Sequence, residues 1–210
     1  MTATAMGTLG VFGAGGCGRG IVPLVRAQYP DARVVFVEDA PQQTECNGHA
    51  VLAFADFAAI PGAKIVVAVA NPAARQAIVA RCTAAGLGFY EVRATQIVVM
   101  DDVQIGPGGL FSPWTTLTSN IRIGAHFHCN LYSYVEHDCV IGDFVTFAPA
   151  VRCNGNVTIG DGAYVGSGAL IRQGITIGAG AVVGMGAVVV RDVAPGETVV
   201  GNPARVLRRA

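Results

Sequence analysis

From Ile105 to Val189 an apolar residue returns at every sixth position without a break. One phase of this pattern reads Ile105, Ile123, Ile141, Ile159 and Ile177. A second reads Leu117, Val135, Cys153, Ile171 and Val189, and the third reads Phe111, Cys129, Phe147, Val165 and Val183. Glycine often follows the anchor, as at Gly106, Gly124, Gly142 and Gly160, and the fourth residue on is small or β-branched, as at Val145, Val157, Ala163 and Ala181. A fixed period over this length is an internal repeat. Six residues make a short strand and a corner, and three such units close a triangular coil with the anchors inside. Each coil buries its anchors only by stacking on the next. The fifteen hexads therefore predict five coils, each rising about 4.8 Å, in an all-β parallel helix over 94–210. The general rule for parallel crossovers would make its connections right-handed.

The pattern changes before residue 94. Thr8–Phe12 reads as a buried strand running into the glycine-rich turn Gly13-Ala14-Gly15-Gly16-Cys17-Gly18, with a helix beginning over Ile21 to Ala27. Further strands are expected at Arg33–Val37, Lys64–Ala70 and Gly88–Val92, and a helix at Pro72 to Ala85 stopped by Gly86. Strands alternating with helices predict a small Rossmann-like α/β domain over 1–93. Its glycine turn would sit at the carboxyl end of the first strand, where backbone N–H groups reach a phosphate. Glu38 stands twenty residues after Gly18, the place of a ribose-binding acid, so an NAD enzyme competes with a nucleotide-sugar site. The domain holds only about half of a dinucleotide fold, which favours the nucleotide-sugar.

Composition narrows the function. The formal net charge is zero and Lys64 is the only lysine, so no basic stripe offers a nucleic-acid surface. Apolar runs are short and broken, which predicts no membrane span, and the first residues lack a signal-peptide pattern, which predicts a cytoplasmic protein. The six cysteines, Cys17, Cys46, Cys82, Cys129, Cys139 and Cys153, have no CxxC spacing and read as small apolar fillers, not zinc ligands.

Polar residues gather in one stretch of the coil: His126, His128, Asn130, Tyr132, Tyr134, Glu136, His137 and Asp138. His137 follows the anchor Val135 by two, at an outward or corner position, with a carboxylate on each side. A carboxylate on one imidazole nitrogen fixes the tautomer and makes the other nitrogen a better base. Spacing alone leaves alternatives: a three-histidine zinc site from His126, His128 and His137, or a non-catalytic sugar-nucleotide sensor.

Three motifs bear on the choice. Ser133-Tyr134-Val135-Glu136-His137-Asp138-Cys139-Val140-Ile141-Gly142, then Cys153-Asn154-Gly155-Asn156-Val157, and the tail Gly201-Asn202-Pro203-Ala204-Arg205 resemble the bacterial nucleotide-aminosugar N-acetyltransferases and sialic acid O-acetyltransferases, over nearly the whole chain. The resemblance implies a left-handed β-helix, a homotrimer, and acetyl-CoA as co-substrate in the groove between neighbouring helices, with no metal. It implies direct acetyl transfer to the amine of a nucleotide-linked amino-sugar, with His137 as base, Asp138 as its partner and Glu136 as second choice. The backbone N–H of Gly155 would polarise the thioester. Gly13, Gly15, Gly16, Cys17, Glu38, Asp39 and Asn71 would hold the nucleotide-sugar, with Asn130 on the sugar. Thr146, Gly184 and Met185 are expected against acetyl-CoA, and Arg205, Arg208 and Arg209 near its phosphates. O-acetylation of a sialic acid or another hydroxyl is the alternative within the family. Two departures stand out: Cys17 replaces a common histidine, and Val92-Arg93-Ala94-Thr95 replaces a His-Pro-x-Ala entry to the helix.

Overall fold

The computed structural model describes residues 7–207. Arg208 and Arg209 lie outside them. The first strand, β1 (Thr8–Phe12), is flanked in parallel by β2 (Arg33–Glu38) and β5 (Lys64–Val67). Outside them lie β4 (His49–Ala53), with its antiparallel partner β3 (Glu45–Cys46), and β6 (Gly88–Phe89), giving the order β3-β4-β2-β1-β5-β6. Strand order thus reverses about β1, and the crevice at a reversal of this kind takes ligands in open α/β sheets. The loops after β1 and β5 meet there.

Helix α1 (Gly16–Gln28) starts five residues before the apolar pattern that begins at Ile21. Its first turn is glycine-rich, which hides the helix from a propensity argument. The reason is packing: a Cβ on Gly18 would lie 1.8 Å from the carbonyl oxygen of Gly13. Strand β5 ends at Val67, three residues short of the expected Ala70. The carbonyls of Val69 and Ala70 leave the sheet because Arg75, near the start of α3 (Pro72–Ala84), which follows the short helix α2 (Phe54–Ala58), takes both.

The second half is a three-sided left-handed parallel β-helix. Its first face stacks Leu110–Phe111, His128–Cys129, Thr146–Phe147, Tyr164–Val165 and Val182–Val183, each eighteen residues after the last. The second includes Thr116–Leu117, Tyr134–Val135 and Arg152–Cys153, and the third includes Ile121–Ile123, Val140–Ile141 and Thr158–Ile159. The isoleucine ladder forms as the period requires, and Phe111, Val135, Phe147, Cys153, Ile171 and Val183 are fully buried. The helix begins earlier than the apolar period. Val92–Arg93 pairs with Leu110–Phe111, so Val92 belongs to the coil and not to the sheet strand expected over Gly88–Val92. Arg93 holds an inward register there, paired with Glu91 and lying over the Phe111 ring. At the open end of a prism no coil covers that position, so an arginine is tolerated and the apolar signal disappears.

Corners also differ in detail from the sequence expectation. The left-handed residue is the third after the anchor, as at His126 (φ 55°), Tyr132 (φ 60°) and Asp138 (φ 61°). Glycine directly after the anchor serves the next coil: a Cβ on Gly124 would stand 2.7 Å from the backbone nitrogen of Asp143. Five cysteines are buried and Cys17 is partly open, all with free thiols.

The α/β domain sits on the first face of the prism. His128 Nε2 donates to the Val67 carbonyl (3.0 Å), and the Thr146 hydroxyl donates to that of Ala70 (2.8 Å). Arg75 completes the junction. It is fully buried, and its guanidinium donates to the carbonyls of Val69 and Ala70 on one side and of His126, Phe144 and Val145 on the other. Burial pushes its pKa down to about 10, which still leaves it charged at neutral pH. Five carbonyls, and no carboxylate among the described residues, compensate that charge. Arg75→Met keeps the stem and strands these acceptors in a dry interface, so it should cost about 3 kcal/mol or more of stability in denaturant unfolding. A loss under about 1 kcal/mol would mean that water replaces the guanidinium.

Candidate active site

His137 and Asp138 form a corner between the second and third faces. The His137 Nδ1–H donates to Asp138 Oδ2 at 2.8 Å, and Asn120 Nδ2 donates to Asp138 Oδ1 at 3.2 Å. Asn120 precedes Asp138 by one coil, so the eighteen-residue period carries a signal for it that the sequence reading missed. Glu136 Oε2 lies 4.0 Å from His137 Nε2, outside hydrogen-bond range. Asp138 is therefore the acid placed to orient the ring, and Nε2 has no hydrogen-bond partner among the described residues. The hydrogen bond to Asp138 raises the His137 pKa above the ordinary imidazole value. The bonds from His137 and Asn120 hold the Asp138 carboxyl below the usual carboxylate range.

The next coil brings Gly155 directly against the ring. A Cβ there would stand 2.5 Å from His137 Cε1 and 2.6 Å from Nε2. Asn156 N–H ties the two corners by donating to the His137 carbonyl at 2.8 Å, and the Gly155 carbonyl accepts from Gly174. No described residue accepts from the Gly155 N–H. An exposed imidazole and, against it, the N–H of the buried Gly155, with no acceptor among the described residues, thus meet at one corner, the pair that acyl transfer to a nucleophile requires.

A base must be neutral to act, so activity should fall as pH drops through the raised His137 pKa. In Asp138→Asn the carboxylate that raises it is gone, and the acid limb of kcat/KM should move to lower pH as the plateau falls. A pH–rate profile checks this, and an unmoved limb would assign the titration to another group.

A second site lies beneath the glycine turn. Gly13 (φ 100°) donates to the Val37 carbonyl, and Ala14 N–H donates to Glu38 Oε1 at 3.0 Å, so one Glu38 oxygen holds the turn itself. Gly15 caps α1 without a side chain, and a Cβ on Gly15 or Gly16 would meet nothing within 4 Å. That open space above free helix N–H groups suits a phosphate. A cleft of about 420 Å³ continues from it, walled by Gly16, Cys17 and Ile21 of α1 and by Ser112, His128 and Asn130 of the first face. Cys17 and Asn130 come together here, although far apart in sequence. Burial pushes the Cys17 thiol up, against the pull of Arg75, so it faces the cleft as a neutral thiol. Asn130 Oδ1 accepts from Leu131 N–H, leaving its amide N–H groups to point elsewhere.

The other residues expected to contact ligands are held as follows. The Thr146 hydroxyl, expected beside acetyl-CoA, is buried in the domain junction, where it donates to the Ala70 carbonyl. Asp39 pairs with Arg81 at 2.7 Å, and Asn71 Oδ1 caps α3 by accepting from Ala74 N–H at 2.9 Å. Gly184 and Met185 lead into the corner between the first and second faces, one edge away from Gly155, and Met185 is 81% exposed. The histidines do not converge on a metal. His126 packs between Phe89 and Phe144, and burial and Arg75 push its pKa down to about 4. No group of three metal-ligating side chains occurs among the described residues, and no helix among them is long and apolar enough to cross a membrane. Arg75, which joins both halves, was missed by sequence reading and carries no motif that would have marked it.

Residues 8–82 match the PglD N-terminal domain family, and residues 156–191 match the bacterial transferase hexapeptide family. The chain is 44% identical to GDP-perosamine N-acetyltransferase of Escherichia coli O157:H7, with 98% of each chain covered. It belongs to the PglD-type hexapeptide acetyltransferases. Among solved structures, WeeI from Acinetobacter baumannii AYE is 47% identical with a TM-score of 0.93, over 96% of this chain and 100% of that one. The acetyltransferase domain of PglB from Neisseria gonorrhoeae FA1090, in complex with acetyl coenzyme A, is 31% identical with a TM-score of 0.89, over 95% and 98% of the two chains. As a PglD-type acetyltransferase the chain is an acyl-transfer enzyme. Membership sets aside the sensor and NAD-enzyme alternatives.

Proposed function

We propose that this enzyme transfers the acetyl group of acetyl-CoA to the amine of a nucleotide-linked 4-amino-sugar, with GDP-perosamine as the acceptor to test first. The observation that carries the reading is the shared corner of His137 Nε2 and the unpaired Gly155 N–H. The amine attacks the thioester carbonyl, and the oxyanion that forms accepts the Gly155 N–H. His137 Nε2 takes the amine proton while Asp138 offsets the charge on the imidazolium. Collapse breaks the C–S bond, and the proton passes to the departing thiolate, giving free CoA and the acetamido sugar. The glycine turn and the N-terminus of α1 hold the diphosphate, and the cleft behind them holds the sugar beside Asn130.

The cleft and the His137 corner lie on different edges of one prism. A copy of the chain that lays its His137 edge along another copy's cleft would bring base and amine together, and a threefold ring repeats that pairing at every interface. A homotrimer with acetyl-CoA between neighbouring prisms fits this separation.

The test is free-thiol release from acetyl-CoA with GDP-perosamine and with UDP- and dTDP-linked 4-amino-sugars. Release that requires an amino-sugar supports the reading. Release with hydroxyl acceptors alone would replace it with O-acetylation.

A further inference from the structure

Acetyl transfer makes no use of His128, yet this side chain lines the cleft and is only 4% exposed. Its Nε2 must carry the hydrogen, because the Val67 carbonyl at 3.0 Å can only accept. In a neutral imidazole the other nitrogen, Nδ1, is then a lone-pair acceptor. Burial, reinforced by the Arg75 charge, opposes any second proton on this ring. No described residue donates to Nδ1. Nor does it number among buried side-chain atoms sealed away without a partner, where the Thr118 hydroxyl stands alone among the described residues. Nδ1 therefore opens on the cleft. Buried acceptors are normally satisfied, so one left open in a ligand-sized space calls for a donor from the ligand.

We propose that His128 Nδ1 accepts a hydrogen bond from a hydroxyl of the pyranose bound in the cleft, which makes His128 a residue that sets sugar specificity. A lone pair repels phosphate and carboxylate oxygens and gains nothing from a methyl group, so it reads only a donor. Asn130, two residues along, has amide N–H groups to offer and supplies the opposite polarity. The cleft wall thus combines an acceptor and a donor with the apolar surface of Ile21 and Leu110. The arrangement distinguishes a sugar with a hydroxyl at one ring position from its deoxy analogue, because the analogue leaves Nδ1 unpaired in a dry wall. The inference rests on the reading of the cleft as the amino-sugar site.

The experiment compares kcat/KM for GDP-perosamine with that for its 2-deoxy and 3-deoxy analogues, in the wild type and in His128→Gln. Glutamine can still extend an amide N–H to Val67 but has no acceptor at the ring δ position. The wild type should lose on the order of 10- to 100-fold with one of the two analogues. His128→Gln should accept that analogue and GDP-perosamine almost equally. Unchanged discrimination in His128→Gln would overturn the proposal, since a purely structural histidine would lower both rates together. His128→Asn keeps an acceptor near the δ position and gives up the Val67 bond. It should melt lower yet still discriminate, and if His128→Gln does not fold, loss of discrimination in His128→Asn overturns the proposal instead. A wild type inactive on GDP-perosamine would overturn the substrate reading itself. Wild-type turnover with discrimination untouched by His128 overturns only the role of this residue.

Discussion

His137→Ala should lower kcat by about 10²–10⁴-fold, the contribution of a positioned general base, with little change in KM for acetyl-CoA. An amine attacking a thioester carries a proton that has to leave before the product is stable, and His137 Nε2 is the basic atom at the corner with no partner in hydrogen-bond range among the described residues. Glu136 is 4.0 Å from Nε2, and Asp138 is already spent on Nδ1 and Asn120. The side chain is about half exposed and packs into no core, so removing it should leave the melting temperature near that of the wild type. Steady-state kinetics with circular dichroism separate these effects. Wild-type kcat would remove His137 from the chemistry. A large rise in KM for acetyl-CoA with kcat intact would make it a binding residue.

Gly155→Ala should be nearly as damaging to turnover, by about 10²–10³-fold, with a native fold. The added methyl would occupy space 2.5 to 3.0 Å from three atoms of the imidazole, so the ring has to swing away. In swinging it loses its alignment to Asp138 and covers the N–H that would face the oxyanion. Gly155 does not have the left-handed φ that penalises alanine elsewhere on these corners, such as at Gly168 (φ 69°) and Gly174 (φ 76°). The loss therefore belongs to the site and not to the backbone. A Gly155→Ala protein with normal melting and strongly reduced kcat supports this geometry, whereas full activity would show that the ring and the N–H are not coupled.

Much of the prism was legible because its physics is one-dimensional. A parallel coil repeats every eighteen residues, so inward positions are marked by period alone, and Ile105 to Ile177 stack as the arithmetic demands. Legibility fails where a coil has no neighbour, as at Arg93, and where a residue answers to another domain. Thr146 has the spacing of an outward strand residue, and only the α/β domain lying over the first face turns its hydroxyl to Ala70. The start of α1 was hidden for a similar reason, since Gly18 is set by a close approach to Gly13 and not by helix propensity.

The site divides the same way. Adjacent residues and the coil period place His137, Asp138 and Gly155 together, because contacts one residue or one coil apart follow from sequence spacing. The sequence by itself thus determined the repeat, the glycine turn and a histidine flanked by two carboxylates, all short-range or periodic features. Only the tertiary structure decided which acid orients His137, how Cys17 meets Asn130 across one cleft, and that Arg75 binds five carbonyls from two domains. It also decided that His128 keeps one nitrogen for Val67 and leaves the other open. Those outcomes depend on how an α/β sheet docks on one face of a prism, and no period or local spacing along the chain encodes a docking between two separately folded layers.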